Sequence, residues 1–266
     1  MDLGLKDRVA LITGSSRGTG EGIAKVLAGE GAVVLVHGMA AGAADRVTEE
    51  IRQAGGRAHA IAGDIATDAG ADQAAGEALA VTGRIDVLVN NYGGVERGRW
   101  FASEAKDWVR MYETNVLSAQ RLIRLLVPGM LARGRGRVML LGTIGAFRPG
   151  ARNPHYYAAK AALPAMVASL ARELEGSGIT VNLVSPGLIR TREVEEGYRS
   201  KGARLGWGES WEAVEQGILA ESPNLVGRIG RVEEVGHLVA FLASDLAGYI
   251  NGANVCIDGG ALAAGR

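Results

Sequence analysis

The chain has 266 residues, of which 47% are hydrophobic and 22% charged, values typical of a globular protein rather than a disordered one. Its 29 basic residues balance 29 acidic residues, so we expect neither a nucleic-acid nor an anionic-membrane partner. The single cysteine, Cys256, can form no internal disulfide, which favours a reducing, cytoplasmic location, and no apolar run approaches the ~18 residues of a membrane span.

Short β-branched runs alternate with longer alanine-rich segments along the chain. The runs predict strands over residues 8–13, 32–37, 58–62, 85–90, 137–142, 179–185 and 254–257. The segments between them predict helices over 20–29, 43–54, 68–82, 104–131, 156–175 and 232–243. Strands that are apolar almost throughout are typical of sheets covered on both faces. We therefore predict one α/β domain over 1–266, a doubly wound, mostly parallel seven-stranded Rossmann-like sheet with ligands at its carboxyl edge.

Residues 191–225 interrupt this alternation. The segment is polar, carries Trp207 and Trp211, and predicts a helical insertion over the end of the sheet. A substrate lid is the favoured interpretation, and a surface excursion is the alternative. The two tryptophans either line a pocket or anchor the insertion.

A glycine-rich loop follows the first predicted strand, in the order Thr13-Gly14-Ser15-Ser16-Arg17-Gly18-Thr19-Gly20. Gly14 permits a tight turn, Gly18 lets the backbone approach a pyrophosphate, and Gly20 lets the following helix pack on the strand. The start of that helix offers free N–H groups and the positive end of its dipole. The loop therefore predicts a phosphate-binding site.

Tyr156 and Lys160 lie four residues apart in a predicted helix, so both side chains share one face. A lysine cation beside a phenol favours the phenolate, and we expect it to lower the tyrosine pKa from about 10. Such a tyrosine can donate or accept a proton during carbonyl reduction or alcohol oxidation. Tyr157, three residues from Lys160, is the competing candidate.

The loop Gly14-x3-Gly18-x-Gly20 and the pair Tyr156-x3-Lys160 together resemble the short-chain dehydrogenase/reductase family, and the resemblance runs from Thr13 to Gly260. It implies that Tyr156 is the general acid/base and that Lys160 lowers its pKa and bonds the nicotinamide ribose. The family's serine falls on Thr143, whose hydroxyl can make the same hydrogen bond. The family's asparagine, which holds a proton-relay water, falls on Asn115.

The same resemblance implies a nicotinamide dinucleotide cofactor and no metal. Its cofactor-binding positions fall on Gly14, Ser16, Arg17, Gly18, Thr19, Gly20, His37, Asp64, Ile65, Asn91, Gly93, Tyr156, Lys160, Pro186, Gly187, Ile189 and Thr191. The second strand ends without the acidic residue that binds an NAD ribose. Arg17 resembles the basic residue of NADP-preferring members, whereas Met39 stands where many of them carry a second arginine. We therefore expect NADP(H) to be favoured over NAD(H).

Two further positions depart from the family pattern. Tyr92 replaces the usual alanine beside the cofactor, where it either walls the substrate pocket or points outward. Pro164 lies inside the predicted catalytic helix, where it lacks an N–H and crowds the carbonyl of Lys160. We expect a local kink between Lys160 and Pro164.

These observations predict an NAD(P)-dependent oxidoreductase acting on a ketone or secondary alcohol, with a 3-oxoacyl thioester, a sugar or a polycyclic compound as candidate substrates. A catalytically silent cofactor-binding regulator is one alternative. An epimerase or dehydratase of the extended relatives is another, although no larger substrate domain fits after Thr191. Members of the family commonly form tetramers, so we expect a homotetramer or homodimer.

Overall fold

A computed structural model describes residues 2–264 and centres on a parallel sheet of seven strands. These strands are β1 (Val9–Ile12), β2 (Val33–Gly38), β3 (Arg57–Ala62), β4 (Val87–Asn90), β5 (Gly136–Leu141), β6 (Ile179–Pro186) and β9 (Asn254–Ile257). Their order is β3-β2-β1-β4-β5-β6-β9, and every neighbouring pair is parallel. All seven predicted strands are present, with ends shifted by at most two residues, and the predicted fold class is confirmed.

Helices cover both faces of this sheet. They are α1 (Gly18–Gly29), α2 (Asp45–Gln53), α3 (Asp68–Thr82), α4 (Ala105–Tyr112), α5 (Ser118–Ala132), α6 (Pro154–Ala161), α7 (Leu163–Glu173), α8 (Arg192–Leu205), α9 (Trp211–Glu221), α10 (Val232–Ala243) and α11 (Ala261–Ala264). Within residues 2–264, none of them has both the length and the apolar character needed to cross a bilayer.

Two hydrophobic cores lie on opposite faces of the sheet, because alternate residues of each strand point to opposite sides. In β1, Ile12 packs with α1, α2 and α10 in one core, and Leu11 packs with α3, α5 and α7 in the other. Strands buried on both faces explain the nearly continuous apolar runs in the sequence.

The strand order changes direction between β1 and β4, which are neighbours in the sheet although β2 and β3 separate them along the chain. Connections from these two strands leave in opposite directions, so a crevice opens at their carboxyl ends. The glycine-rich loop follows β1, and Asn91 to Gly94 follow β4. The topology therefore brings these two segments to one site.

Two predicted helices are interrupted. The segment predicted over 104–131 contains a π-helical turn at Glu113–Leu117 between α4 and α5, which the residue pattern did not predict. The segment predicted over 156–175 begins at Pro154 and is divided at Ala162, whose backbone torsions stay helical at φ −74° and ψ −25°. Pro164 thus stands in the first turn of α7, where its missing N–H costs least, and the expected interruption lies next to it.

Helices α8 and α9 form the predicted insertion and pack together around a small apolar cluster. Trp211 is buried there with Val214 and Ile218, and Trp207 packs against them. The guanidinium of Arg190 lies 4.3 Å from the ring centre of Trp211. The two tryptophans therefore anchor the insertion. A two-stranded pair, β7 (Ile189–Arg190) with β8 (Gly230–Arg231), joins its base to the start of α10.

Candidate active site

The glycine-rich loop has the conformation that its residues predict. Gly14 and Gly18 both have φ of +61°, a left-handed conformation that favours glycine. A Cβ at Gly20 would lie 2.5 Å from the Asn91 amide nitrogen and 2.6 Å from the Gly14 carbonyl oxygen, so only glycine fits there. No side chain caps the start of α1. Its first N–H groups are therefore available to an anionic ligand.

His37 supports this loop from behind rather than from the cleft. Its side chain is fully buried, its Nδ1 accepts a hydrogen bond from the Gly14 N–H at 3.1 Å, and its Nε2 lies 2.9 Å from the Gly63 carbonyl oxygen. These two partners require the neutral tautomer with the proton on Nε2. Burial accordingly lowers the pKa of His37. Both ring nitrogens are thus bonded inside the protein, and a cofactor contact of His37 stays a prediction.

Tyr156 and Lys160 face the glycine-rich loop across a cleft of about 470 Å³. We call this the catalytic cleft. Its lining includes Tyr156, Lys160 and the loop residues Gly14 and Arg17–Gly20. Tyr157 is absent from that lining. Its ring packs over Gly145, where a Cβ would lie 2.4 Å from Cε1 of Tyr157. The geometry therefore favours Tyr156 over its neighbour as the reacting phenol.

Burial determines the protonation of Tyr156. Burial, and after it the neighbouring Tyr157, raise the pKa of this phenol to about 12 against an opposing hydrogen bond with Thr143. The expected lowering of this pKa is wrong in this structure, because burial raises the pKa of Tyr156 and no effect of Lys160 opposes it. The Lys160 ammonium instead donates to the Leu141 carbonyl oxygen at 2.8 Å. At neutral pH the phenol keeps its proton.

Lys160 is itself buried, and burial lowers its pKa to about 8. A single carbonyl acceptor replaces only part of the hydration that the ammonium loses. Because a pKa of about 8 lies above neutral pH, the ammonium form still predominates there. The cleft thus combines a neutral phenol with a cation one helical turn away.

Asn115 lies in the π-helical turn and is buried. Its amide Nδ2 donates to the carbonyl oxygens of Gly94 and Met111, and its Oδ1 accepts from the Gly94 N–H at 3.2 Å. A Cβ at Gly93 would lie 2.7 Å from Asn115 Oδ1 and 3.0 Å from Lys160 Nζ. The absence of a side chain at Gly93 therefore lets these two polar groups approach the same point.

Thr143 follows β5 and begins a short helical turn. Its hydroxyl accepts from the Gly145 N–H at 3.2 Å and also hydrogen-bonds the Tyr156 phenol. The structure therefore brings Thr143 to Tyr156, as the position of the family's serine implied. The hydrogen bonds to Gly145 and Tyr156 together orient the Thr143 hydroxyl.

Most of the expected cofactor-binding positions line the catalytic cleft: Gly14, Arg17, Gly18, Thr19, Gly20, Asn91, Gly93, Tyr156, Lys160, Pro186, Gly187, Ile189 and Thr191. Ser16 lies outside it, in the adjoining cavity described below. The side chain of Ile65 is 1% exposed and packs in the core, and its contact with a cofactor stays a prediction.

A second cavity of about 400 Å³ adjoins the catalytic cleft through Gly14, Arg17, Asn91 and Gly93, and we call it the side cavity. Tyr92 lines it, so this residue neither walls the substrate side nor points outward. Burial, and then the charge of the Asp64 carboxylate, raise the pKa of Tyr92. Arg46 and Arg192 also line it, and no sequence motif had singled them out as binding residues.

Together these features fit an extended dinucleotide. The uncapped start of α1 and the glycine-rich loop suit a pyrophosphate, and the two adjoining cavities share Gly14 and Arg17 of that loop. A Cβ at Gly187 would lie 2.9 Å from the backbone of Asp258, so the Pro186–Gly187 turn is held close to the end of the sheet. Such a group would be held by the loop, Lys160 and the 186–191 segment.

Comparison with known proteins agrees with this geometry. A family model described as enoyl-(acyl carrier protein) reductase matches residues 14–261. The uncharacterised oxidoreductase YvaG of Bacillus subtilis (strain 168) is 33% identical over 264 residues, 98% of this chain and 98% of that protein. The 3-oxoacyl-(acyl-carrier-protein) reductase FabG of Escherichia coli (strain K12) is 31% identical over 261 residues, 97% of this chain and 98% of that protein.

Solved structures agree as well. L-sorbose reductase from Gluconobacter frateurii, complexed with NADPH and L-sorbose, has a TM-score of 0.92 and 33% identity, covering 98% of this chain and 99% of that chain. A 7α-hydroxysteroid dehydrogenase complexed with NADH and 7-oxo glycochenodeoxycholic acid has a TM-score of 0.85 and 30% identity, covering 97% and 96%. With its fold, its glycine-rich loop and its tyrosine–lysine helix, the chain belongs to the short-chain dehydrogenase/reductase family.

Proposed function

We propose that this protein reduces the carbonyl group of a ketone with NADPH as its preferred cofactor. Membership of the family makes the chain an NAD(P)-dependent oxidoreductase acting on CH–OH and C=O groups. The observation that carries the finer proposal is the cleft in which Tyr156 and Lys160 face the glycine-rich loop. This arrangement also speaks against a catalytically silent regulator, for which no paired phenol and ammonium are needed.

Each polar residue of the cleft has a role in this proposal. When bound, the nicotinamide supplies the hydride that the carbonyl carbon accepts. Tyr156 donates its phenolic proton to the carbonyl oxygen, and the Thr143 hydroxyl orients that oxygen beside the phenol. Lys160 and Asn115 share a point close to Gly93 and return a proton from solvent to Tyr156. The π-helical turn serves this relay because it orients the Asn115 side chain toward Gly94.

The protonation of Tyr156 suits the donation of a proton to a carbonyl oxygen. A phenol whose pKa is raised to about 12 holds its proton throughout the neutral range and is a proton donor. Oxidation of an alcohol needs the phenolate, which burial disfavours. Reduction therefore starts from the resting protonation state of the site.

NADP(H) is the proposed cofactor on two observations. No acidic residue ends β2, so nothing there repels a 2′-phosphate, and Arg17 lines both the cleft and the side cavity. The relatives span both cofactors in their names, since the sorbose reductase was solved with NADPH and the hydroxysteroid dehydrogenase with NADH. The preference is therefore assigned from this chain's own residues.

Three wider proposals accompany this function. The α8–α9 insertion acts as a substrate lid, because Thr191, Glu193 and Val194 at its base line the catalytic cleft. The protein forms a homotetramer or homodimer through α5 and α7. Its single cysteine, Cys256, is unpaired, which favours work in the cytoplasm.

A carbonyl screen tests the function. The purified protein is offered 3-oxoacyl thioesters, keto sugars and polycyclic ketones, each with NADPH and with NADH, while cofactor oxidation and product are measured together. We expect stoichiometric NADPH oxidation and alcohol formation with at least one class. Isomerised product without net cofactor oxidation would instead indicate an epimerase. Cofactor binding without conversion across the panel would indicate a regulator.

A further inference from the structure

Two loops meet at the mouth of the catalytic cleft. One follows β4 and runs over residues 91–104, and the other follows β5 and runs over residues 142–153, up to the start of α6. Val95, in the first loop, lines the cleft and is 56% exposed, so it lies where the cleft opens to solvent. Thr143, in the second loop, hydrogen-bonds the Tyr156 phenol. Both loops therefore border the place where the proposed function puts a ketone.

Gly98 and Asn153 fasten these two loops together. The Asn153 N–H donates to the Gly98 carbonyl oxygen at 2.9 Å, and the Gly98 N–H donates to Asn153 Oδ1 at 3.2 Å. The approach is close, because a Cβ at Gly98 would lie 2.6 Å from both His155 Nε2 and Ser103 Oγ. Asn153 has a φ of +58°, a left-handed conformation that asparagine adopts more readily than most residues. The sequence neighbours of Gly98 are therefore held beside those of Asn153.

This bridge gathers three arginines, since Arg97 and Arg99 flank Gly98 and Arg152 precedes Asn153. We call them the entrance arginines. All three are exposed, and none makes a side-chain hydrogen bond or ion pair with another residue of the described chain. Arg97 is two residues from Val95, and consecutive Cα atoms are only about 3.8 Å apart, so the cluster lies beside the mouth of the cleft. Like charges held this close repel one another until an anion joins them.

The nearby carboxylates do not neutralise the entrance arginines. Both oxygens of Glu96 accept from the Arg110 guanidinium, which also bonds Asp107 at 2.8 Å. Glu104 bonds Lys106 at 2.8 Å. The second loop contains neither aspartate nor glutamate. Each acid of the first loop and of the start of α4 is thus already paired with another cation.

We propose that the entrance arginines bind an anionic group of the substrate, so that the preferred ketone carries a carboxylate or a phosphate away from its carbonyl. Guanidinium groups bind both anions through paired, charge-assisted hydrogen bonds. Positive charge at the mouth of a cleft also attracts an anionic substrate from solution. Among the described residues that line the cleft, Glu193 is the only acid, and it lies 3.8 Å from the Arg17 guanidinium. This inference rests on the proposed ketone reduction and names the class of ketone.

Two pairs of ketones separate the effect of charge from that of shape. 5-Oxohexanoate is compared with its methyl ester, and dihydroxyacetone phosphate with dihydroxyacetone, in NADPH-dependent reduction by the wild type. We expect the anion of at least one pair to have a kcat/KM about tenfold or more above that of its neutral partner, mainly through a lower KM. The pair that shows this advantage tells a carboxylate from a phosphate. Added salt should reduce the advantage, because exposed charges are screened.

The triple variant Arg97→Gln/Arg99→Gln/Arg152→Gln tests the residues themselves. We expect its kcat/KM for the preferred anion to fall by about 30-fold, mainly through KM, whereas that for the neutral partner should change by less than about threefold. Lys6→Gln is the control, because Lys6 is an exposed cation without a side-chain partner in the described chain and precedes β1, at the opposite edge of the sheet. It should change neither value. Thermal unfolding checks that each variant is folded.

The outcomes separate this inference from the proposed function. Equal kcat/KM within both pairs for the wild type, equal losses for anion and neutral partner in the triple variant, or the same loss in Lys6→Gln would each overturn the inference. Reduction of neutral ketones alone would do so as well. In all these cases a ketone is still reduced, so the proposed function stands. If no ketone of any class is reduced, function and inference fall together.

Discussion

At the scale of single residues, the site depends on two buried titratable groups whose pKa values move in opposite directions. Burial raises the pKa of Tyr156 to about 12 and lowers that of Lys160 to about 8. Both shifts disfavour the charged form, as expected where water is excluded. The protein nevertheless keeps Lys160 at the site, so a cost in stability accompanies the chemistry.

This cost has a definite pH dependence. The unfolded chain binds the Lys160 proton with the ordinary pKa of 10.5, whereas the folded chain binds it with a pKa of about 8. Between these values the unfolded state holds more protons, so stability rises with pH across the window. We expect the wild type to gain about 1.6 kcal/mol relative to Lys160→Met between pH 8 and 9.5. Tyr156 acts oppositely only above pH 10, where its ordinary pKa lies.

Chemical unfolding of the wild type and Lys160→Met at pH 7, 8 and 9.5 measures this difference. Lys106→Met is the control, because that lysine is 70% exposed and its loss should leave no comparable pH-dependent gap. A constant difference between wild type and Lys160→Met over the range would contradict the burial of a charged Lys160.

The positions of several site residues could be predicted from the sequence, but their pKa values and ring orientations could not. The loop glycines could be placed from their position between a strand and a helix, whereas the roles of Tyr156, Lys160 and Thr143 came from the resemblance to the family. The pKa of Tyr156 could not be predicted, since it depends on burial by residues far away in the chain. His37 lies near the end of β2, as predicted. Its ring points into the protein, where its two nitrogens bond the Gly14 N–H and the Gly63 carbonyl oxygen.

At the scale of elements, the π-helical turn between α4 and α5 and the loop after β4 work as a unit. The turn directs Asn115 onto the backbone of Gly94, and Gly93 leaves room for Asn115 and Lys160. A helical periodicity cannot reveal such a turn, because one wider turn hardly alters the apolar pattern over 28 residues. The interruption near Pro164 was predictable because proline acts locally.

Two neighbouring glycines allow this unit to be tested. An alanine Cβ at Gly93 would lie 2.7 Å from Asn115 Oδ1, whereas one at Gly94 would meet only Thr114 Cγ2 at 3.7 Å, and neither glycine has a positive φ. Gly93→Ala should therefore lower kcat by about 100-fold, because displacement of catalytic groups by about 1 Å has effects of that size. Gly94→Ala should stay within about threefold. Similar losses in both variants, with both folded by thermal unfolding, would refute the shared position of Asn115 and Lys160.

At the scale of the whole molecule, the fold class follows from the alternation of apolar runs with amphipathic segments, whereas the strand order comes from the structure. The orientation of the α8–α9 insertion did not follow, because polar segments carry no periodic signal and its packing rests on Trp211 and Arg190. The side cavity was also not foreseen. It is formed by residues from the glycine loop, the start of α2 and the base of α8, which only the folded chain brings together.

Assembly is the prediction at this scale. A groove of about 550 Å³ lies between α5 and α7, and Ala165 is exposed beside it. If copies pack through these helices, Ala165→Arg places a long cation in the contact and should reduce a tetramer or dimer to a smaller species by light scattering. Ala80→Arg, on the exposed face of α3, is the control and should leave the mass unchanged. An unchanged mass for both variants would place the interface elsewhere.

The most direct test of the whole account is a single-turnover comparison of Tyr156→Phe and Tyr157→Phe on a ketone identified by the screen. The two tyrosines are adjacent, with ring centres 5.4 Å apart, but only Tyr156 lines the catalytic cleft. We expect Tyr156→Phe to abolish hydride transfer while still binding NADPH, and Tyr157→Phe to turn over near the wild-type rate. Retained transfer in Tyr156→Phe, with transfer lost in Tyr157→Phe, would contradict the assignment of Tyr156 as the proton donor.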